Sequence, residues 1–176
     1  MAEIPLTEAD SATMLRVDQA GEFGATRIYD GQRAIFGDRH PISRLIARMA
    51  AQEQAHRVHF DRMMAERGVR PTLLAPVWNL AGFALGAATA LIGPEAAMAC
   101  TAAVETEIDR HYGKQLEELG DRDPELRRAI TEFRAEEIEH RDTAIAAGAE
   151  AAPAYPLLSA AIRLGCRAAI ALSQRI

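Results

Sequence analysis

The sequence predicts an all-α protein: a four-helix bundle with two extra apolar helices, one a crossover and one C-terminal. Three observations carry this. Hydrophobic residues make up 49% of the chain and aromatics only 5%, with much Ala and no β-branched runs of the kind strands need. Helix start and stop signals divide the chain into six segments. A pattern of a lone Glu followed by Glu-x-x-His occurs twice, as Glu22 with Glu53 and His56, then Glu105 with Glu137 and His140. At 176 residues, one domain spanning residues 1–176 is expected.

The first helix is predicted over Thr7–Phe36, with Thr7 as N-cap and Glu8 and Asp10 in a first turn that favours acidic residues. Gly21, Gly24 and Gly31 lie inside it. Each is costly in a helix, so each needs a reason: close helix packing, or room beside a site. The turn Gly37–Pro41 leads to a second helix over Ile42–Arg67, and Gly68 supplies its left-handed stop. The stretch Pro71–Ile92 carries no charge from Pro76 onward. Two readings stay open for it: a buried crossover helix, or a helix on a membrane surface. Its 17 uncharged residues are at the short end for a span. Gly93-Pro94 breaks the run, and a fourth helix follows over Pro94–Leu119. Asp123-Pro124-Glu125 is a strong helix start for a fifth, running to about Ala147. A loop over Ala151–Pro156 precedes the apolar sixth helix, Leu157–Ser173. Two hairpins joined by one long crossover is the ferritin-like arrangement of a four-helix bundle.

Charge and cysteines exclude several classes. A net charge of −5 argues against a nucleic-acid binder, which usually shows a basic face. Cys100 and Cys166 have no zinc spacing and are expected as buried free thiols. The N-terminus shows neither a secretory nor a transit pattern.

The repeated pattern points to metal. Glu22 lies 16 residues before Asp38 and Glu53 lies 15 after it. At 1.5 Å per residue, both stand roughly 23 Å from the hairpin tip. Glu105 and Glu137 each lie 16 residues from Asp121, so the second hairpin repeats the geometry. Glu-x-x-His places both side chains on one helix face. A single such motif is explained as well by a solvated face. Two, each with an upstream Glu at matched height, give the ligand set of carboxylate-bridged two-metal bundles: Glu22, Glu53, His56, Glu105, Glu137 and His140. Glu136 and Glu139 do not fit the His140 spacing. Four carboxylates and two imidazoles favour iron or manganese over structural zinc. His59 is expected at the surface or just outside the site, and His40 in an exposed turn.

Several segments resemble the demethoxyubiquinone hydroxylases, di-iron monooxygenases of ubiquinone biosynthesis. They are Leu15–Tyr29 (LRVDQAGEFGATRIY), Arg70–Leu74, Trp78–Gly86 (WNLAGFALG), Ala97–Thr101, Ala103–Glu105, His111-Tyr112, Phe133–His140 (FRAEEIEH) and Ala152–Tyr155. The chain departs from the family's usual pattern at Gln19, Phe23 and Thr106, none of them a ligand position. The resemblance covers nearly the whole chain.

It implies an enzyme that uses O2 to replace C–H by C–OH on a polyprenyl benzoquinone ring, with two iron ions held by the six residues above. It implies electrons from NADH, with His111 and Tyr112 as candidate catalytic residues for electron and proton transfer. The implied setting is peripheral, on the cytoplasmic side of the inner membrane. A polyprenyl quinone substrate, a lipid-binding partner of the same pathway and self-association into a homo-oligomer complete it. The rivals are an iron-storage bundle and a rubrerythrin-like peroxide scavenger. The uncharged crossover opposes the first, and the absence of a Cys-x-x-Cys iron site weakens the second.

Overall fold

The computed structural model describes residues 8–175. It has six helices: α1 Glu8–Phe36, α2 Ser43–Arg67, α3 Ala75–Ile92, α4 Pro94–Leu119, α5 Pro124–Ala146 and α6 Tyr155–Ser173. A single 3₁₀ turn, Ala149–Ala151, precedes α6, and no strand occurs among the described residues. α1 with α2 and α4 with α5 form two hairpins. α3 crosses between them, so the bundle is ferritin-like as predicted. The predicted Thr7 cap lies outside the described residues. Two boundaries move: α3 begins at Ala75, after a turn at 73–74, and α6 begins at Tyr155, two residues early.

The stop and start signals act as the sequence implies. Gly68 takes φ +64°, and the amide of Val69 donates back to the Met64 carbonyl to close α2. At the start of α5 the Asp123 carboxylate accepts from the Leu126 amide at 3.1 Å. The same carboxylate takes a forked Arg67 guanidinium at 2.6 and 3.2 Å. One aspartate therefore caps α5 and ties it to the end of α2.

The bundle interior has an apolar plug at each end. Tyr29, Ile46, Met49, Met98 and Ala144 pack one end, together with small α4 alanines. Leu15, Phe60, Met63, Leu119, Leu126 and Ile130 pack the other. Each of the four helices contributes to both plugs and carries its predicted carboxylate between them.

α3 and α6 lie outside this bundle. α3 docks on α1 at backbone distance, because a Cβ on Gly86 would fall on the Ile28 carbonyl and one on Gly31 on the Phe83 carbonyl. Gly82 backs onto Gly24 in the same way. Close packing thus accounts for Gly31 in α1, whereas a Cβ on Gly24 would meet open space. α6 is held by buried Glu107 of α4, whose carboxylate accepts from Arg163 at 2.6 Å and from Arg167 at 2.8 Å. The Trp78 indole donates to Ser173 Oγ at 3.1 Å, joining the start of α3 to the end of α6.

The outer faces of both helices are apolar and open. Leu80 and Leu91 on α3 are 72% exposed, Leu157 on α6 is 73% and Leu164 67%. The reading of α3 as a buried crossover is therefore corrected: only its glycine-bearing face is covered. By length and composition, α3 and α6 are each long and apolar enough to cross a membrane. Exposed apolar area of this kind marks a surface that meets lipid or a partner. Cys100 is buried, whereas Cys166 on α6 is only partly so.

Two predictions follow from the packing. Gly86→Ala forces a methyl into the Ile28 backbone and should cost about 2 kcal/mol of stability, read by denaturant unfolding. Asp123 is held below its usual 3.8: burial pushes it up, but the Arg67 and Leu126 hydrogen bonds outweigh that. Its contribution is full above pH 3.8 and lost as pH falls through the depressed value. Asp123→Ala should therefore cost about 1 kcal/mol at neutral pH, and the gap to wild type should close on acidification.

Candidate metal centre

Six ionisable side chains meet at one level between the two apolar plugs. Glu22 comes from α1, Glu53 and His56 from α2, Glu105 from α4, and Glu137 and His140 from α5. None is more than 3% exposed. Their ligand atoms form two groups, each mutually within 4.8 Å: Glu22, Glu53, His56 and Glu137, then Glu53, Glu105, Glu137 and His140. Glu53 and Glu137 belong to both.

Glu137 reaches both groups with separate oxygens. Its Oε1 lies 3.0 Å from His56 Nδ1 and its Oε2 3.2 Å from His140 Nδ1. His140 Nδ1 is also 2.9 Å from Glu53 Oε1, and His56 Nδ1 is 3.5 Å from Glu22 Oε2. Yet His56 Nδ1, Glu53 Oε1 and Glu137 Oε1 are buried without a hydrogen-bond partner. Native interiors seldom leave such atoms unpaired. They approach closely but are not aligned as donor and acceptor, as expected of lone pairs aimed at common points. That is the donor arrangement a pair of divalent cations needs.

The outward nitrogens are engaged. His56 Nε2 lies 2.9 Å from Glu136 Oε2 and His140 Nε2 3.1 Å from Gln52 Oε1. Both imidazoles therefore turn Nδ1 to the centre and are held from behind, the arrangement usual for metal-ligating histidine. His56 also stacks on Phe133, with ring centroids 4.0 Å apart.

Two phenols cross between the hairpins. Tyr112 OH donates to Glu22 Oε1, and Tyr29 OH donates to Glu105 Oε1 at 3.3 Å. His111 sits one step further out, with Nε2 3.2 Å from buried Asp18. It lines a cavity of about 490 Å³ with Lys114, Gln115 and Glu118. Of the predicted catalytic pair, Tyr112 thus touches the carboxylate cluster and His111 does not. His59 packs edge-on against Phe133 and Phe60, off the centre. His40 is half-buried against Phe36, not exposed as expected.

Without a cation the cluster holds protons. Burial, then the Glu137 charge, raises Glu53 and Glu105 well above the carboxylate range, and burial raises Glu22. Burial opposes charge on His56, but the close Glu137 and Glu22 carboxylates win and push it to about 11. Burial likewise opposes the Glu137 charge, yet His140 and His56 bring that carboxyl to about 2. Cation binding would release these protons.

Tyr29, Gln52 and Glu136 were missed as site residues. The repeat held the signal. Tyr29 and Tyr112 each follow the lone Glu by seven residues, and Gln52 and Glu136 each precede a His by four.

A ferritin-like bundle with a buried carboxylate and histidine cluster able to hold metal is the class that fold and site define. The family model for ubiquinone biosynthesis protein COQ7 matches residues 9–173. A 3-demethoxyubiquinol 3-hydroxylase of Rhodospirillum rubrum is 54% identical over 162 residues, covering 92% of this chain and 76% of the relative. The mouse mitochondrial NADPH-dependent 3-demethoxyubiquinone 3-hydroxylase is 52% identical over 166 residues, with the same coverage. The mitochondrial 5-demethoxyubiquinone hydroxylase of Saccharomyces cerevisiae is 41% identical over 190 residues, covering 97% of this chain and 82% of the relative. The chain belongs to the COQ7 family.

Proposed function

We propose that this chain, acting as one domain, hydroxylates the ring of a demethoxylated polyprenyl benzoquinol in ubiquinone biosynthesis. The names of its relatives support that substrate. The observation that carries the chemistry is the pair of four-residue ligand groups sharing Glu53 and Glu137. In this reading Glu22, Glu53, His56 and Glu137 would hold one cation, and Glu53, Glu105, Glu137 and His140 the other.

Two iron ions held there would supply reductive activation of O2. The balance is one ring C–H and one O2 with two electrons and two protons, giving one C–OH and one water. Reduced nicotinamide supplies the electrons. The mouse relative's name favours NADPH over the NADH implied by resemblance.

The chain's own residues do the rest. Tyr112 and Tyr29 fix Glu22 and Glu105, so the terminal carboxylates keep their orientation. Tyr112 holds a proton on the Glu22 oxygen, and the Asp18–His111 pair leads from there toward the cavity beside Lys114. In this reading His111 and Tyr112 would carry protons and electrons inward. The apolar plugs keep water away from the carboxylates.

The open faces of α3 and α6 suit a substrate with an apolar tail. We place the chain on the membrane, at the cytoplasmic face of the inner membrane, and not across it. Support comes from the docking of α3, whose glycine face is locked to α1 and is not available to lipid. The same apolar surface would meet a lipid-binding partner of the pathway and a second copy of the chain.

Purified protein supplied with iron, O2, NADPH and a short-chain demethoxyquinone should yield a product one oxygen atom heavier, read by mass spectrometry. Label from ¹⁸O2 should appear in it. Iron oxidation to bulk mineral with no such product would reject the reading.

A further inference from the structure

The second hairpin repeats the first in its chemistry as well as its shape. Glu105, Tyr112, Glu137 and His140 stand where Glu22, Tyr29, Glu53 and His56 stand. The supporting contacts cross between the hairpins in matched pairs. Tyr29 holds Glu105 and Tyr112 holds Glu22. Gln52 holds His140 and Glu136 holds His56. Phenol matches phenol and ligand matches ligand. The match fails only in the last pair, where one hairpin offers an amide and the other a carboxylate.

These four side chains form one hydrogen-bonded chain whose direction is fixed by chemistry. A carboxylate only accepts, so His56 Nε2–H donates to Glu136 Oε2 at 2.9 Å. Gln52 Nε2 donates to the same oxygen at 3.4 Å. Its Oε1 therefore faces His140, and His140 Nε2–H donates to it at 3.1 Å. Every donor has an acceptor, and with Nε2 carrying the proton each imidazole would offer an Nδ1 lone pair to a cation at the centre. The arrangement also spans α2 and α5, which no hairpin turn connects directly.

We propose that Gln52 and Glu136 are positioning residues that make the two metal positions unequal. The proposal rests on the two-metal reading given above. A carboxylate behind an imidazole draws its N–H more strongly than an amide does and raises the electron density at the ligating nitrogen. The position held by His56 and Glu22 is thereby the more electron-rich, and it binds a cation more tightly. The position held by His140 and Glu105 is weaker and fills second. An internal repeat that would otherwise give two equivalent irons gives an ordered pair. The Glu136 side chain is 41% exposed, so an isosteric Glu136→Gln substitution removes the charge without opening the interior.

The test compares wild type, Glu136→Gln, and the exchange Gln52→Glu with Glu136→Gln. In the exchanged protein the hydrogen-bonded chain runs in the opposite direction with every donor still satisfied. Each is titrated anaerobically with ⁵⁷Fe(II) and followed by Mössbauer spectroscopy. Wild type should take up two irons with distinct quadrupole doublets and stepwise affinities about 10-fold or more apart. Glu136→Gln should bring the doublets together and close the affinity gap, or lose the tighter iron. The exchange should restore both the gap and the two doublets. A gap and doublet separation unchanged in Glu136→Gln, or a wild type with two equivalent irons, would overturn the proposal while leaving the metal centre standing. A wild type that takes up no iron would overturn the two-metal reading and this inference with it.

Discussion

Four carboxylates and two imidazoles buried at one level of an apolar bundle set the terms for the rest of the structure. Ionised groups are not placed between apolar plugs without compensation, because losing water costs each several kcal/mol. Protons provide part of it: His56 is driven to about 11, while burial and the Glu137 charge hold Glu53 and Glu105 well above their usual range. Divalent cations would provide it more completely, and the unpaired atoms at the centre are aimed as cation ligands. The cluster is thus a source of strain in the bare chain and a source of stability once filled.

The surrounding architecture serves that cluster. The two hairpins bring the ligands to equal height, and the plugs on either side keep water out. Phenols and outer acceptors then fix the orientation of each ligand. α3 and α6 add a second layer on one side of the bundle, attached by glycine-mediated backbone contact and by the Glu107 clamp. Their outer faces remain apolar. The same molecule therefore presents a polar, protected centre and a lipid-compatible exterior, the combination that hydroxylation of a long-tailed quinol requires.

Much of this was legible in the sequence. The gathering of the six Glu and His residues was, because a repeat with fixed spacing on helices constrains three dimensions at once. The caps at Gly68 and Asp123 were, because their chemistry is local. The fate of α3 was less so. Its lack of charge was visible, but not which face would be covered. That is settled by Gly82 and Gly86 meeting α1, a contact over 50 residues away in sequence. Glu136 was set aside as a poor match to the His140 spacing. It serves His56 on another helix, so its signal lay not in the distance to His140 but in the repeat, where Gln52 and Glu136 hold matching positions. His111 and Tyr112 are adjacent in sequence but face different partners, since neighbouring helical residues point about 100° apart.

The shared role of Glu137 is where the reading is most exposed to test. Its two oxygens face the two histidines separately, so its removal should affect both metal positions. Iron bound per chain after anaerobic loading and desalting measures this directly. Two irons in wild type and fewer than one in folded Glu137→Ala are expected. Two irons retained by Glu137→Ala would contradict a bridged centre at this site.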